Sequence, residues 1–251
     1  MIKLNQLSTK APEDFNKEET KILTKALVKK IAELTEVMYA ERKNALLVVF
    51  QAMDGSGKDS AVKNVFEEVT PTFIRTHGFN KPSSEEFSHD FLWRVHKLAP
   101  AKGMIQVFVR SHYEDVLVQR VHGWIDEKRV DLRIDAINAF EKLLEFDNNT
   151  KVLKFYFHIS QEEQEVQLRE RVEDPTKHWK HNDNDWEERK IWDTYMDAYE
   201  NCINKSAIPW NVVAGDQRWY RDYIVAKTIV DALESMNCEY PCLKSELFTN
   251  T

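Results

Sequence analysis

The apolar run Leu46-Leu47-Val48-Val49-Phe50 passes directly into Gln51-Ala52-Met53-Asp54-Gly55-Ser56-Gly57-Lys58-Asp59-Ser60, and a helical segment follows over 61–69. A strand, a glycine turn, Gly-Lys and a helix, in that order, are the context of a phosphate-binding loop. Glycine lets successive backbone N–H groups turn inward around phosphate oxygens, and the following helix points its positive end at them. Gly55, Ser56, Gly57, Lys58, Asp59 and Ser60 are therefore candidate phosphate ligands, with Lys58 as the mobile cation. Two positions depart from the GxxxxGK[ST] pattern: Ala52 replaces the first glycine, and Asp59 stands where Ser or Thr would supply a hydroxyl to Mg²⁺. A carboxylate beside phosphates is repelled unless a cation bridges them. Asp54 is therefore expected to hold Mg²⁺, or Mn²⁺ in its place, directly or through water.

Five β-rich runs stand out, at 45–50, 72–79, 104–109, 152–159 and 210–214. The first, third and fourth are almost continuously apolar, as parallel strands covered on both faces are. Leu23, Leu27, Ile31, Leu34 and Met38 recur at helical spacing, which predicts a helix over 18–42 before the first strand. Tyr113, Val116, Arg120, Val121 and Trp124 form a second stripe, and Trp192, Tyr195, Met196, Tyr199 and Ile203 a third; both read as core-facing. This alternation predicts an α/β fold, a three-layer α/β/α domain with a five-stranded, mainly parallel sheet spanning 1–251. Ligands in such sheets bind at the carboxyl ends of the strands. The charged stretch at about 162–188 reads as a helical lid.

A formal charge of −7 and the lack of a basic tail argue against a nucleic-acid binder, yet a local basic groove can still take a polyanion. No stretch approaches the roughly 18 apolar residues of a membrane span, and 1–15 lacks the apolar run of a signal peptide. Cys202, Cys238 and Cys242 have no zinc-like spacing, so free thiols in the reducing cytoplasm are expected.

Further segments carry a resemblance beyond the generic loop. They are Lys81-Pro82-Ser83-Ser84-Glu85-Glu86, His89-Asp90-Phe91-Leu92-Trp93-Arg94-Val95-His96, Arg110-Ser111-His112-Tyr113-Glu114-Asp115-Val116-Leu117 and Arg120-Val121-His122. Glu170-Arg171-Val172-Glu173-Asp174-Pro175-Thr176-Lys177-His178-Trp179-Lys180 and Pro209-Trp210-Asn211-Val212-Val213-Ala214-Gly215-Asp216, then Arg218-Trp219, extend it. With Asp54-Gly55-Ser56-Gly57-Lys58-Asp59, these resemble the second family of polyphosphate kinases. The Ser-His-Tyr-Glu-Asp form resembles the branch acting on both nucleoside mono- and diphosphates. The resemblance implies a P-loop kinase fold, Mg²⁺, inorganic polyphosphate as donor or acceptor, a nucleoside mono- or diphosphate as partner, and assembly into dimers or tetramers.

On the same resemblance, Asp54, Lys58 and Arg110 carry the transfer, and Lys81, Arg120, Arg171, Lys177 and Lys180 join the loop in holding polyphosphate. Arg94, His96, Arg110 and Glu114 are the candidate nucleotide contacts. Arginine suits phosphate because its planar fork donates two hydrogen bonds at once. Arg120 lies ten residues beyond Arg110, so the two need not share a helix face, and His96 serves equally well as a structural hydrogen-bonding group. Two departures stand out: Val109, where the family commonly has Asp or Asn, and Asn80, where lysine is frequent and Lys81 is a substitute. Two other readings compete. An ATP-dependent nucleoside monophosphate kinase shares loop and lid but differs in donor; a polyphosphate-binding protein without turnover would bind and form no product.

Overall fold

The computed structural model describes residues 1–245 and 247. Its sheet contains β1 (Ala45–Gln51), β2 (Ile74–Gly78), β3 (Ile105–Val109), β4 (Thr150–His158) and β5 (Trp210–Ala214), all parallel, in the order β2-β3-β1-β4-β5. The helices are α1 (Lys17–Glu41), α2 (Lys58–Val65), α3 (Ser84–Phe87), α4 (Trp93–His96), α5 (Glu114–Val121), α6 (Glu127–Asn148), α7 (Gln161–Glu173), α8 (Asp183–Lys190), α9 (Trp192–Lys205) and α10 (Arg218–Ser235). All five expected strands are present within two residues at either end.

Side chains alternate across the sheet, as the pleat requires. Leu47 and Val49 of β1, Phe108 of β3 and Tyr156 of β4 pack in one core with α5, α6 and α9. Leu46, Val48, Phe50, Val107, Phe155 and Phe157 pack in a second core with α1, α2 and α10. Every residue of β1 is buried, whereas the edge strand β2 is partly exposed, which explains why β1 reads as a continuous apolar run and β2 does not. No helix among the described residues is long and apolar enough to cross a membrane.

Three periodicity readings shift. The buried face of α1 is Thr20, Val28, Ile31, Thr35 and Met38, while Leu23 is exposed. Two threonines sit on that face because their hydroxyls return to the helix, Thr35 Oγ1 donating to the Ile31 carbonyl at 2.6 Å, so they pack as near-apolar groups. Trp124 lies beyond α5, is exposed, and stacks on His122 instead of entering the core. α2 stops at Val65, and Phe66 and Val69 remain buried in the turn that follows. The third stripe, on α9, packs as expected.

Candidate active site

The C-terminal end of β1 is followed by the loop 52–57 and by α2, which begins at Lys58. Gly55 and Gly57 take φ values of +85° and +80°, the left-handed conformation that glycine adopts without penalty. At Gly57 a second constraint applies: a Cβ there would lie 2.5 Å from Nη1 of Arg221. Gly57→Ala is expected to cost about 1–3 kcal/mol through backbone strain and displacement of that guanidinium, read as a lower urea midpoint of unfolding.

The Lys58 side chain is buried, and its ammonium donates to the carbonyls of Ala52 at 2.8 Å and Met53 at 3.1 Å. Its Nζ stands 4.0 Å from Asp54 Oδ1. The Asp54 carboxylate also accepts from Arg110 Nη2, across the C-terminal ends of β1 and β3. Burial alone pushes the Asp54 carboxyl up, but Lys58 and then Arg110 outweigh it and hold the group below the usual carboxylate range. Burial outweighs Asp54 at Lys58, whose ammonium is displaced downward. Arg110 itself has φ +58°, uncommon for a residue with a Cβ, and its N–H is fixed by the Phe50 carbonyl at 3.0 Å. Strain at this arginine therefore serves to aim it back over the loop.

A cavity of about 490 Å³ opens between this loop and the segment 161–190. It is lined by all of 54–60, by Asn80, Val109 and Arg110, and by Arg171, Lys177, Trp179, Lys180 and Asp185 from the other side. That second wall is α7, a 3-10 turn (Pro175–Lys180) and α8. Asp174 caps the turn, accepting from the Thr176 N–H at 2.9 Å, and Pro175 starts it. Arg171 holds the turn to α8, donating to the Lys180 carbonyl at 3.1 Å and to Asp185 at 2.6 Å. Lys177 pairs with Glu170 and Asp174, and the Lys180 ammonium lies 4.9 Å from the centre of the Trp179 ring. Gln164 ties α7 to the phosphate loop by donating to the Asp54 carbonyl at 3.0 Å.

Glu114 stands behind Arg110, accepting from Gln51 Nε2 at 3.0 Å. Burial raises its carboxyl despite the neighbouring Arg110. It shares a small space with Asp54, Arg110, Asp185, Glu188 and Tyr195. The other candidates lie elsewhere. Arg94 is buried and binds the Asn80 carbonyl and Asp115, each at 2.9 Å, so it fastens the chain after β2 to α5. His96 meets the edge of the Phe140 ring. Arg120 pairs with Glu127 at 2.7 Å and does not line the cavity. Lys81 is exposed and does not line the cavity, although Asn80 beside it does. Arg94 reaches the chain just past β2 but spends its donors on the Asn80 carbonyl and Asp115, and neither it nor His96 lines the cavity.

Ser60 lines the cavity, but its hydroxyl is committed to the loop: it donates to the Gly57 carbonyl at 2.8 Å and accepts from Arg221. Ser56 lines the cavity, and its buried hydroxyl has no hydrogen-bond partner among the described residues. For a divalent cation the donor set is hard oxygen: the Asp54 carboxylate, with that of Asp185 on the facing wall. One or two carboxylates plus substrate phosphates suit Mg²⁺, so the residues fit. Sequence reasoning missed Gln164, Asp185, Glu188 and Arg221, because each acts from an element whose proximity to the loop only the fold creates.

A sequence model described as polyphosphate kinase 2 matches residues 14–241. A Meiothermus ruber protein named AMP/ADP-polyphosphate phosphotransferase is 41% identical over 218 residues, which are 86% of this chain and 81% of that one. A Rhodopseudomonas palustris protein named ADP-polyphosphate phosphotransferase is 35% identical over 90% of this chain and 83% of its own length. The crystal structure of polyphosphate kinase 2 from Arthrobacter aurescens TC1 matches with a TM-score of 0.94 at 38% identity, covering 98% of this chain and 89% of that one. Matched in sequence over residues 14–241 and in fold over nearly its full length, the chain belongs to the polyphosphate kinase 2 family.

Proposed function

We infer that this protein is a phosphotransferase that moves a phosphoryl group between inorganic polyphosphate and a nucleoside mono- or diphosphate. The names of its relatives support that substrate pair. The observation that carries the chemistry is the cavity itself. Lys58 and the loop amides stand on one wall, Arg110 at its end, and Arg171, Lys177 and Lys180 on the opposite wall.

Phosphoryl transfer asks for alignment and charge neutralisation more than for covalent help from the protein. The terminal phosphate of polyphosphate lies in the loop, held by the 55–58 amides, Lys58 and the Ser56 hydroxyl. A phosphate oxygen of the nucleotide attacks that phosphorus in line. The anhydride bond to the rest of the chain breaks as the new P–O bond forms, and polyphosphate leaves one unit shorter. Arg110 exchanges its contact with Asp54 for the equatorial oxygens of the moving group. Lysines and Arg171 from the lid close over the polyanion and exclude water, which protects the phosphoryl group from hydrolysis. Mg²⁺, held by Asp54, supplies neutralisation of phosphate charge when bound.

Val109, at the end of β3, lines the cavity beside Arg110 and has no group to offer a cation. Val109→Asp adds a second carboxylate to that wall. The Mg²⁺ concentration giving half-maximal activity is expected to fall by about tenfold. An unchanged Mg²⁺ requirement would show that the position does not face the metal. The homo-oligomer also belongs to this reading: exposed Leu132, Leu143 and Phe146 lie along one side of α6. The reading is tested by incubating the protein with long-chain polyphosphate and ADP, with Mg²⁺ and then with excess chelator. ATP should accumulate only with the metal; ATP formed equally without it would remove the metal from the account.

A further inference from the structure

The bulkiest fully buried side chain among the described residues is a charged one, Arg221 of α10, with none of its surface exposed. A guanidinium in that position needs every donor directed at an acceptor. Nε and Nη2 donate to Asp222 Oδ1 at 2.9 and 2.7 Å, and Asn64 of α2 donates to the other Asp222 oxygen at 2.7 Å. Two further donors leave α10 altogether. Nη1 donates to the Ser56 carbonyl at 3.0 Å and Nη2 to the Ser60 hydroxyl at 3.1 Å. Ser60 in turn donates to the Gly57 carbonyl at 2.8 Å.

From this geometry we propose that Arg221 is a positioning residue that sets the direction of the phosphate-binding amides, and so determines affinity for the polyphosphate end. The proposal rests on the loop being the polyphosphate site. A peptide unit is planar and trans, so its C=O and N–H point in opposite directions. Holding the Ser56 carbonyl toward α10 turns the Gly57 N–H the other way, toward the cavity that Gly57 lines. Gripping Gly57 through Ser60 fixes the next peptide in the same manner. Asp222 balances the charge of the guanidinium, so what the clamp delivers to the loop is orientation and not net charge. A guanidinium serving only to fill the core would spend its donors on its own helix and its neighbours. Here one hydrogen bond goes to the loop at Ser56 and one to the first turn of α2 at Ser60, 165 and 161 residues away in sequence. Glycine at 57 is part of the same device, since any Cβ would strike Nη1.

Arg221→Lys keeps the charge but cannot reach both loop acceptors and Asp222. Ser60→Ala removes one acceptor and leaves the guanidinium. Tripolyphosphate binding is measured by calorimetry, alongside KM for polyphosphate, KM for ADP and the urea midpoint. For Arg221→Lys the dissociation constant of tripolyphosphate and the KM for polyphosphate are expected to rise about tenfold, with KM for ADP within twofold of wild type. Ser60→Ala should move the same two constants by about threefold. A folded Arg221→Lys that binds tripolyphosphate like wild type overturns the proposal, as does a rise in KM for ADP equal to that for polyphosphate. If Arg221→Lys does not fold, Ser60→Ala decides: unchanged tripolyphosphate binding counts against the clamp. Wild-type protein that fails to bind tripolyphosphate refutes the assignment of the loop itself, an outcome read before any variant is compared.

Discussion

Lys58→Ala is expected to lower kcat for polyphosphate-dependent nucleotide phosphorylation by about 10³-fold, with the fold retained. The reason lies in how the ammonium is held. It enters from the first turn of α2, is 7% exposed, and is gripped by two carbonyls of its own loop. Such a charge is preorganised: little reorganisation is needed when negative charge develops on the transferred group, and the low local dielectric amplifies its effect. Alanine leaves the loop amides in place, so some phosphate affinity survives while the charge that matters most in the transition state is gone. Lys58→Arg should not rescue, because the slot between the Ala52 and Met53 carbonyls fits a compact ammonium and not a planar fork. Chromatography of ADP and ATP after a fixed incubation gives kcat directly. Activity within tenfold of wild type for Lys58→Ala would move the catalytic cation elsewhere.

Arg110→Ala is expected to cost about 10²- to 10³-fold in kcat/KM. Arg110 is the only non-glycine residue lining the described cavity whose φ is positive. That strain brings its guanidinium over the loop to Asp54. Arg110→Lys restores the charge but not the two-pronged contact, and should recover less than a tenth of the loss. Asp54→Asn supplies the control: it frees Arg110 from its ion pair but removes the carboxylate proposed for the metal. The two side chains touch, so the double variant should fall short of the sum of the single effects. Strict additivity would show that the pair is not coupled in the reaction.

The sheet was legible from sequence because its central strands are buried on both faces and therefore carry uninterrupted apolar runs, as Ala45–Gln51 does. The phosphate loop was legible because its geometry demands glycine at two positions with φ near +80°. Helix faces were less so. On α1 the threonines conceal their hydroxyls in the helix, so Thr20 and Thr35 are buried while Leu23 is exposed. The lid residues Arg171, Lys177 and Lys180 do line the cavity, because the Asp174–Pro175 corner folds that stretch back over the loop. Arg94 carries the chemistry of a phosphate ligand but spends it on Asp115 and the Asn80 carbonyl, and Arg120 gives its Nε to Glu127. Arg221 is the converse case. Nothing in its local pattern separates it from any other helix arginine, and only the packing of α10 against α2 places it under the loop.

Whether polyphosphate itself is the phosphoryl donor is decided by a pair of matched reactions. Purified protein, Mg²⁺, long-chain polyphosphate and AMP are mixed with no ATP present, beside a matched reaction in which ATP replaces polyphosphate. With polyphosphate as donor, the first reaction yields ADP followed by ATP, at a rate about 10³-fold lower for Lys58→Ala. Silence with polyphosphate, while ATP converts AMP to ADP, would contradict it and identify an ATP-dependent nucleoside monophosphate kinase.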